Sequence, residues 1–124
     1  RIGGCLMVVS AGIAQLAEKC NTKDKTNSHY SIGNAWKIFK SDRKKHSSPN
    51  AAQTESACAG ALKVALSGDN YYFGKLVHKP QIGEAIRPLE AGDIGRSNIL
   101  LYITAFLMVI IVLLIRLIIM LAVR

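Results

Sequence analysis

Two apolar stretches bracket a polar one along the chain. Residues 99–115 are seventeen uncharged residues in succession, and the apolar run reaches residue 123 if the single charge of Arg116 is tolerated. A bilayer core needs about twenty helical residues, so we predict a transmembrane helix over residues 99–123. Arg116 costs roughly 2.5–3.5 kcal/mol at mid-membrane, and the surrounding aliphatic residues outweigh this cost. Its long side chain can reach the interface or face partner helices.

The first apolar stretch, residues 2–17, has sixteen residues without a charge. It is short for a complete span and lacks the charged start and cleavage site of a signal peptide. Because the chain begins at Arg1 and not at Met, we interpret this stretch as a truncated membrane helix and expect the chain to be the C-terminal piece of a longer membrane protein. The alternative is a buried helix of a soluble core.

The polar middle, residues 18–98, carries thirteen Lys and Arg against eight acids, in a chain of 124 residues with net charge +8. Half of the chain is apolar, a composition that excludes a disordered tail, a collagen-like repeat and a disulfide-rich secreted domain. The three cysteines and three histidines lie far apart, which indicates no metal cluster. The basic residues are not interleaved with RNA-type aromatic motifs, so we expect no nucleic-acid partner.

Apolar spacing within the middle predicts two helices. Ile32, Ala35, Trp36 and Phe39 recur at helical intervals, which predicts a helix near 32–45 whose basic side chains lie mostly off the apolar stripe. That helix docks on the protein or lies on anionic lipid headgroups. The second helix, near 50–66, is rich in Ala and Gly, residues that allow close packing.

Turn and cap residues suggest how the second helix and the last helix begin and end. Ser48 can cap the second helix with Pro49 at its first position, and Asn50 with Gln53 is the alternative cap. Gly68 is expected to stop that helix. Asp93 is expected to cap the approach to the last helix, and residues 76–88 are read as an extended loop.

These elements predict an all-α integral membrane protein with two membrane helices, the first truncated, flanking a helical and loop-rich polar segment. The domains are then residues 1–17, 18–98 and 99–123. The Lys and Arg nearest the two spans favour a cytoplasmic location for residues 18–98 in a multi-pass protein of the cell membrane, by the positive-inside rule.

Basic residues gather just before the predicted second helix. Arg43, Lys44, Lys45 and His46 lie beside its start, and helix N-termini bind anions. The alternative is an ordinary helix start next to a solvated run of charge. A phosphate loop at Gly68 and Gly74 is excluded, because the glycine spacing is wrong and Leu76 stands where Ser or Thr would bind magnesium.

The succession DRKKHSSPN, TESACAGAL, SGDNYYFGK and HKPQIG, followed by a membrane helix, resembles the C-terminal part of the adenosylcobinamide-phosphate synthase family (CbiB/CobD) of cobalamin biosynthesis. The resemblance runs from about Ala35 to the end, and residues 2–17 match a preceding membrane helix more loosely. Each motif alone is common, whereas their order is specific. Thr54 and Ser67-Gly68 depart from the family's usual Pro and Gly-Gly.

The resemblance implies a membrane enzyme that joins adenosylcobyric acid to aminopropanol or its phosphate in an amide bond, with ATP and magnesium. It implies three catalytic residues and seven that bind substrate or phosphate. The catalytic residues are His46, Asn50 and Glu55, of which Glu55 is also a candidate magnesium ligand. The binding residues are Arg43, Lys45, Ser48, Asn70, Tyr71, Tyr72 and Lys79. The implied partners are the corrinoid, the aminoalcohol, the lipid bilayer and the remaining N-terminal part of the protein.

Two other functions are left open. Similar membrane proteins act as regulators tied to β-lactamase induction, although these would not be expected to carry both the Ser-Pro-Asn and the Asn-Tyr-Tyr stretches. The second alternative is a membrane anchor with a lipid-binding basic helix, whose binding would weaken as salt rises. As part of the enzyme, this piece is expected to be inactive alone.

Overall fold

A computed structural model describes residues 1–21, 28–46, 48 and 50–123, apart from the side chain of Tyr72. Its four helices are α1 (Ile2–Asn21), α2 (Ile32–Asp42), α3 (Ala51–Leu62) and α4 (Gly92–Ala122). Four short strands lie between α3 and α4: β1 (Leu66–Ser67), β2 (Asn70–Tyr72), β3 (Lys75–Val77) and β4 (Gln81–Ile82). The protein is therefore mostly helical.

Small residues let α2 approach α1 and α3 closely. A Cβ atom on Gly12 of α1 would lie 2.7 Å from Cδ1 of Ile32, and one on Gly4 would collide with the ring of Phe39. These contacts make α2 antiparallel to α1. On α3, a Cβ atom at Gly60 would lie 2.7 Å from the Asn34 carbonyl oxygen. The core between the three helices is correspondingly rich in alanine, with Ala11, Ala14, Ala35, Ala57 and Ala61 buried.

Helix α4 packs on α1 through its first half and is exposed along its second. The hydroxyl groups of Ser10 and Thr104 lie 2.8 Å apart and are buried. The Tyr30 hydroxyl donates a hydrogen bond of 3.4 Å to the Arg96 carbonyl oxygen near the start of α4. Both α1 and α4 are long and apolar enough to cross a membrane. The most apolar window of α4 has no buried residue, as expected of a helix surrounded by lipid or by further helices.

The strands correct the all-α prediction. β1 pairs with β4 in antiparallel fashion, and β2 pairs with β3, with Tyr71 opposite Leu76. Phe73 and Gly74 form the two-residue turn with φ angles of 49° and 77°, a turn whose twist matches paired strands. The predicted extended loop at 76–88 thus contains one strand of each pair.

The boundaries of α2 and α3 differ from those predicted. α2 ends at Asp42 and not near 45, and α3 ends at Leu62 and not near 66. Lys63 adopts a left-handed φ of 60°. The Lys63 and Val64 amides donate back to the carbonyls of Gly60 and Ala59, a pattern that ends a helix. The stop is therefore at Lys63, whereas Gly68, with φ of 100°, lies between β1 and β2.

The predicted caps are confirmed only for the position of Asn50. α3 begins at Ala51, so Ser48 does not cap it, and Pro49 lies outside the described residues. Asn50 occupies the N-cap position, but its side chain makes no capping hydrogen bond. α4 begins at Gly92, before the predicted residue 99, and Asp93 lies in its first turn instead of at its cap. The division at residues 17 and 98 stays a prediction.

Candidate anion-binding site

The basic stretch that follows α2 folds back onto the last turn of that helix. Arg43 is the C-terminal residue that caps α2, and its guanidinium lies 5.6 Å from the centre of the Phe39 ring. The Lys45 ammonium lies 2.8 Å from Oδ1 of Asp42 and donates a 3.4 Å hydrogen bond to the carbonyl oxygen of Gln81. The Lys45 ammonium therefore links the basic stretch to strand β4.

Asp42 is the centre of this arrangement; it begins the DRKKHSSPN motif, but it was not among the candidate site residues. Its side chain is almost fully buried and accepts hydrogen bonds from the Ser41 hydroxyl at 2.7 Å and the Gly83 amide at 2.9 Å. Burial raises the pKa of this carboxyl, but the bonds from Lys45, Gly83 and Ser41 outweigh burial and lower it below its ordinary value. Asp42 is therefore a buried carboxylate held in its charged form.

His46 and Ser48 form a small local contact beside Lys45. The Ser48 amide donates a 3.0 Å hydrogen bond to Nδ1 of His46. A neutral imidazole that accepts at Nδ1 carries its proton at Nε2. In this tautomer Nε2 of His46 carries the proton. It can therefore donate a hydrogen bond to a ligand, but it cannot accept a proton.

The hairpin of β2 and β3 carries the Asn-Tyr-Tyr stretch. Asn70 is paired with Val77 near the base of the hairpin, and Tyr71 is three-quarters exposed. For Tyr72, only the backbone, in β2, is described. Phe73 at the tip is fully exposed. Lys79 is exposed and lies in the connection from β3 to β4. Lys45 and Asp42 contact Gln81 and Gly83, just after this connection.

Asn50 and Glu55 lie at the start of α3, after the basic stretch, and both are exposed. Within the described part of the chain, no hydrogen bond or ion pair joins either side chain to Lys45 or to the hairpin. The neighbouring residue Thr54 faces Gly3 at the start of α1, where a Cβ atom would lie 3.7 Å from Thr54 Cγ2. The structure thus brings Lys45 and the Lys79 loop together and leaves Asn50 and Glu55 apart from that contact.

No three acidic, histidine or cysteine side chains gather into a metal site among the described residues. Glu55 is therefore a single exposed carboxylate. That arrangement suits magnesium bound to a nucleotide, because such magnesium keeps several waters and takes one or two carboxylates besides the phosphates. Glu55 therefore fits the role of one carboxylate ligand of such a magnesium ion.

A second charged cluster joins the end of α3 to the start of α4. Asp93 is buried and accepts hydrogen bonds from Arg87 and from Arg96, the latter at 2.8 Å. Arg87 also donates a 2.9 Å bond to the carbonyl oxygen of Leu62 at the end of α3. A mostly apolar cavity of about 400 Å³ lies beside this cluster, and Cys58 and Ile94 are in its wall. The hydrogen bonds of Arg87 thus anchor the start of α4 to the end of α3.

Comparison with known proteins identifies the family of the chain. A model of the family described as "CobD/Cbib protein" matches residues 1–101. The chain is 51% identical over 83 residues to cobalamin biosynthesis protein CobD of Clostridium perfringens, covering 67% of this chain and 26% of that protein. The protein of the same name from Desulfotalea psychrophila is 48% identical over 87 residues, which is 70% of this chain and 26% of that protein.

A third relative, cobalamin biosynthesis protein CobD of Clostridium tetani, is 40% identical over 111 residues, which is 90% of this chain and 31% of that protein. The chain therefore spans about a quarter to a third of the length of these curated relatives. No solved structure matches it. The family model covers most of the chain, so this chain belongs to the CobD/Cbib protein family.

Proposed function

We propose that this chain supplies part of the active site of a membrane enzyme that attaches aminopropanol or its phosphate to adenosylcobyric acid by ATP-dependent amide formation. Membership of a cobalamin biosynthesis family supports the proposal. The observation that carries it is the contact between the Lys45 ammonium and the Gln81 carbonyl oxygen. That contact joins the basic stretch and the Lys79 loop, the two segments with most of the candidate phosphate-binding residues.

Amide formation from a carboxylate needs activation, because a carboxylate does not condense with an amine in water. In the proposed reaction a carboxylate oxygen of the corrinoid attacks the γ-phosphorus of ATP, and ADP leaves. The amine nitrogen then attacks the carbonyl carbon of the acyl phosphate, loses a proton, and inorganic phosphate leaves. Negative charge develops on the phosphoryl group and later on the tetrahedral oxygen, where fixed cations stabilise it. Lys45 and Arg43 are the proposed cations.

The hydrogen bond between Ser48 and His46 suggests which of His46 and Glu55 donates a proton and which accepts one. Because Nδ1 of His46 accepts the Ser48 amide, we assign His46 as a donor through Nε2 to a phosphoryl or carbonyl oxygen. Glu55, an exposed carboxylate, is then the candidate base for the amine proton or a ligand of the magnesium that accompanies ATP. Asn50 is the candidate that orients a substrate oxygen or amine.

The exposed face of the hairpin suits the large flat corrinoid. Tyr71 and Leu76 stand opposite each other on one face of the hairpin and are both exposed, and an aromatic ring with a hydroxyl group can cover an apolar ring while donating a hydrogen bond. We therefore assign Tyr71 to corrinoid binding, and from the family resemblance alone we propose Tyr72, Asn70 and Lys79 as further substrate-binding residues.

Location in the cell membrane is also proposed, from the apolar surfaces of α1 and α4. The polar segment is assigned to the cytoplasm on the positive-inside rule. One observation favours the alternative of a lipid-binding anchor: Trp36 on α2 is half exposed, and the Lys40 ammonium lies 5.8 Å from the centre of its ring. Such a pair suits a lipid interface, and an anchor would bind lipid without any dependence on corrinoid.

The test is synthase activity of the complete gene product in a strain that lacks the enzyme, with single substitutions His46→Ala, Asn50→Ala, Glu55→Gln and Lys45→Gln. We expect each to lower growth on adenosylcobyric acid. Lys75→Gln is the control, because Lys75 is an exposed basic residue of the hairpin with no assigned role. Full activity in all four variants would contradict the proposed site, and corrinoid-independent membrane binding as the sole function would favour the anchor.

A further inference from the structure

We propose that Asp42 is a positioning residue, which holds the Lys45 ammonium and the loop at Gly83 in one arrangement so that Lys45 binds the phosphate chain of a nucleotide. This inference rests on the proposed function, because that function requires ATP. It assigns a role to Asp42, which begins the DRKKHSSPN motif but was not among the candidate site residues, and it assigns to Lys45 a specific ligand group.

The contacts of Asp42 come from three different segments. Oδ1 accepts from Ser41 within the helix and from the Lys45 ammonium after it, and Oδ2 accepts from the Gly83 amide, 41 residues away in sequence. An uncompensated carboxylate is strongly disfavoured in a protein interior, so a buried one persists only with such partners. Asp42 therefore determines where the basic stretch and the Gly83 loop lie relative to each other.

Lys45 retains capacity to bind a ligand. An ammonium group has three N–H donors, and among the described residues two acceptors contact it, Asp42 Oδ1 and the Gln81 carbonyl oxygen. Its side chain is 45% exposed. Arg43 and Lys44 precede it directly, so the local charge stays positive after Asp42 is counted. A flexible lysine that is fixed in this way loses less freedom when an anion binds.

A purely structural role for Asp42 is less consistent with the contacts. The same helix and the same loop are already joined by a second ion pair, in which the Lys37 ammonium lies 2.7 Å from Oε1 of Glu84. That pair is on the surface, and Glu84 is next in sequence to Gly83. It provides a matched control, because Glu84→Gln weakens the attachment of the loop without touching Lys45.

The experiment is titration of the purified complete gene product with ATP, in detergent, by calorimetry. We expect Asp42→Asn to raise the Kd for ATP by about tenfold, the range of one misplaced charge-assisted hydrogen bond, and Glu84→Gln to change it by less than about twofold. Lys45→Gln should weaken binding to a similar extent as Asp42→Asn, and Asp42→Asn should add nothing further in the Lys45→Gln background. This lack of additivity is what a positioning role requires.

An unchanged Kd in Asp42→Asn would overturn the inference, and so would equal weakening by Asp42→Asn and Glu84→Gln. If Asp42→Asn does not fold, Asp42→Glu replaces it, because it keeps the charge and displaces the carboxylate. An unchanged Kd for ATP in that variant, or normal ATP affinity in Lys45→Gln, overturns the inference. Conversion of adenosylcobyric acid is measured in parallel. ATP binding that follows these expectations without conversion would support the inference and contradict the proposed reaction, whereas conversion with an unchanged Kd would do the reverse.

Discussion

The hydroxyl groups of Ser10 and Thr104 form a buried 2.8 Å hydrogen bond between α1 and α4. Each hydroxyl is also within 2.8 Å of a carbonyl oxygen of its own helix, that of Leu6 or Leu100. The pair therefore fixes the position of α4 along α1, and neither hydroxyl group is left without a hydrogen-bond partner. Hydrogen bonds of this kind between helices in membranes contribute about 0.6–2 kcal/mol.

We expect Thr104→Val, which keeps the shape of the side chain, to lower the free energy of unfolding in detergent by about 1 kcal/mol. A double-mutant cycle with Ser10→Ala measures the interaction itself. The single effects should sum to more than the effect of the double variant, since both remove one bond. Strict additivity would mean that the two hydroxyl groups do not stabilise the packing of α1 and α4.

The close approach of α2 and α3 gives a second prediction. Gly60→Ala places a methyl group 2.7 Å from the Asn34 carbonyl oxygen and 2.9 Å from Cα of Ala35. We expect the free energy of unfolding to fall by about 1–3 kcal/mol, because the backbone of α2 must move to make room for the methyl group. Gly95→Ala in α4 is the matched control, since no neighbouring atom lies within 4 Å of its added Cβ. Thermal unfolding of the two variants in the same detergent should separate them, and similar melting temperatures would contradict the close contact of α2 with α3.

The buried carboxylate of Asp42 gives a pH dependence. Its pKa is lower in the folded protein than in the unfolded chain, so the unfolded chain binds the proton more readily as the pH falls. The contribution of this carboxylate to stability is complete above about pH 5 and decreases as the pH falls through about 4 and below. Asp42→Asn should therefore be less stable than the wild type at neutral pH, and the difference should shrink in acid. A difference that stays constant down to about pH 3 would contradict the charged state of Asp42.

The three cysteines should differ in reactivity. Burial, helped by the nearby carboxylate of Asp93, raises the pKa of the Cys58 thiol to about 11, whereas Cys20 is exposed. The thiolate is the reactive form of cysteine. Because the pKa of Cys58 is about two above the ordinary value, its thiolate fraction is lowered about 100-fold. Mass spectrometry after brief treatment with a maleimide near neutral pH should find label on Cys20 well before Cys58. Equal labelling of both in folded protein would contradict the packing of α3 against α4.

The hydrophobic pattern predicted the existence of the helices well because each carries either a continuous apolar run or apolar residues at helical spacing. α4 follows from its unbroken apolar run, and α2 from its helical spacing. The buried face of α2 is nevertheless rotated: Ala35 and Phe39 are buried as the stripe requires, but Ile38 is buried while Ile32 and Trp36 are half exposed. The reason is that α2 packs against both α1 and α3, a geometry that its own sequence does not contain.

The hairpin and the Asp42 contacts were not predictable in the same way. Phe73 takes a left-handed φ that Asn or Gly normally supplies in such a turn, so the usual hairpin signal is missing. The hydrogen-bond donors around Asp42 include the amide of Gly83, which is remote in sequence. The basic stretch and Asp42 were both visible in the sequence, whereas the contacts by which Asp42 holds that stretch were not.

The central proposal is that this chain provides phosphate-binding residues for ATP-dependent amide formation on a corrinoid. The most direct measurement is the formation of the amide product by the purified complete gene product, from adenosylcobyric acid, ATP, magnesium and aminopropanol or its phosphate. We predict product and ADP in equal amounts with the wild-type protein and a large loss of rate in Lys45→Gln. Product formed without consumption of ATP, or at an unchanged rate in Lys45→Gln, would contradict the proposal.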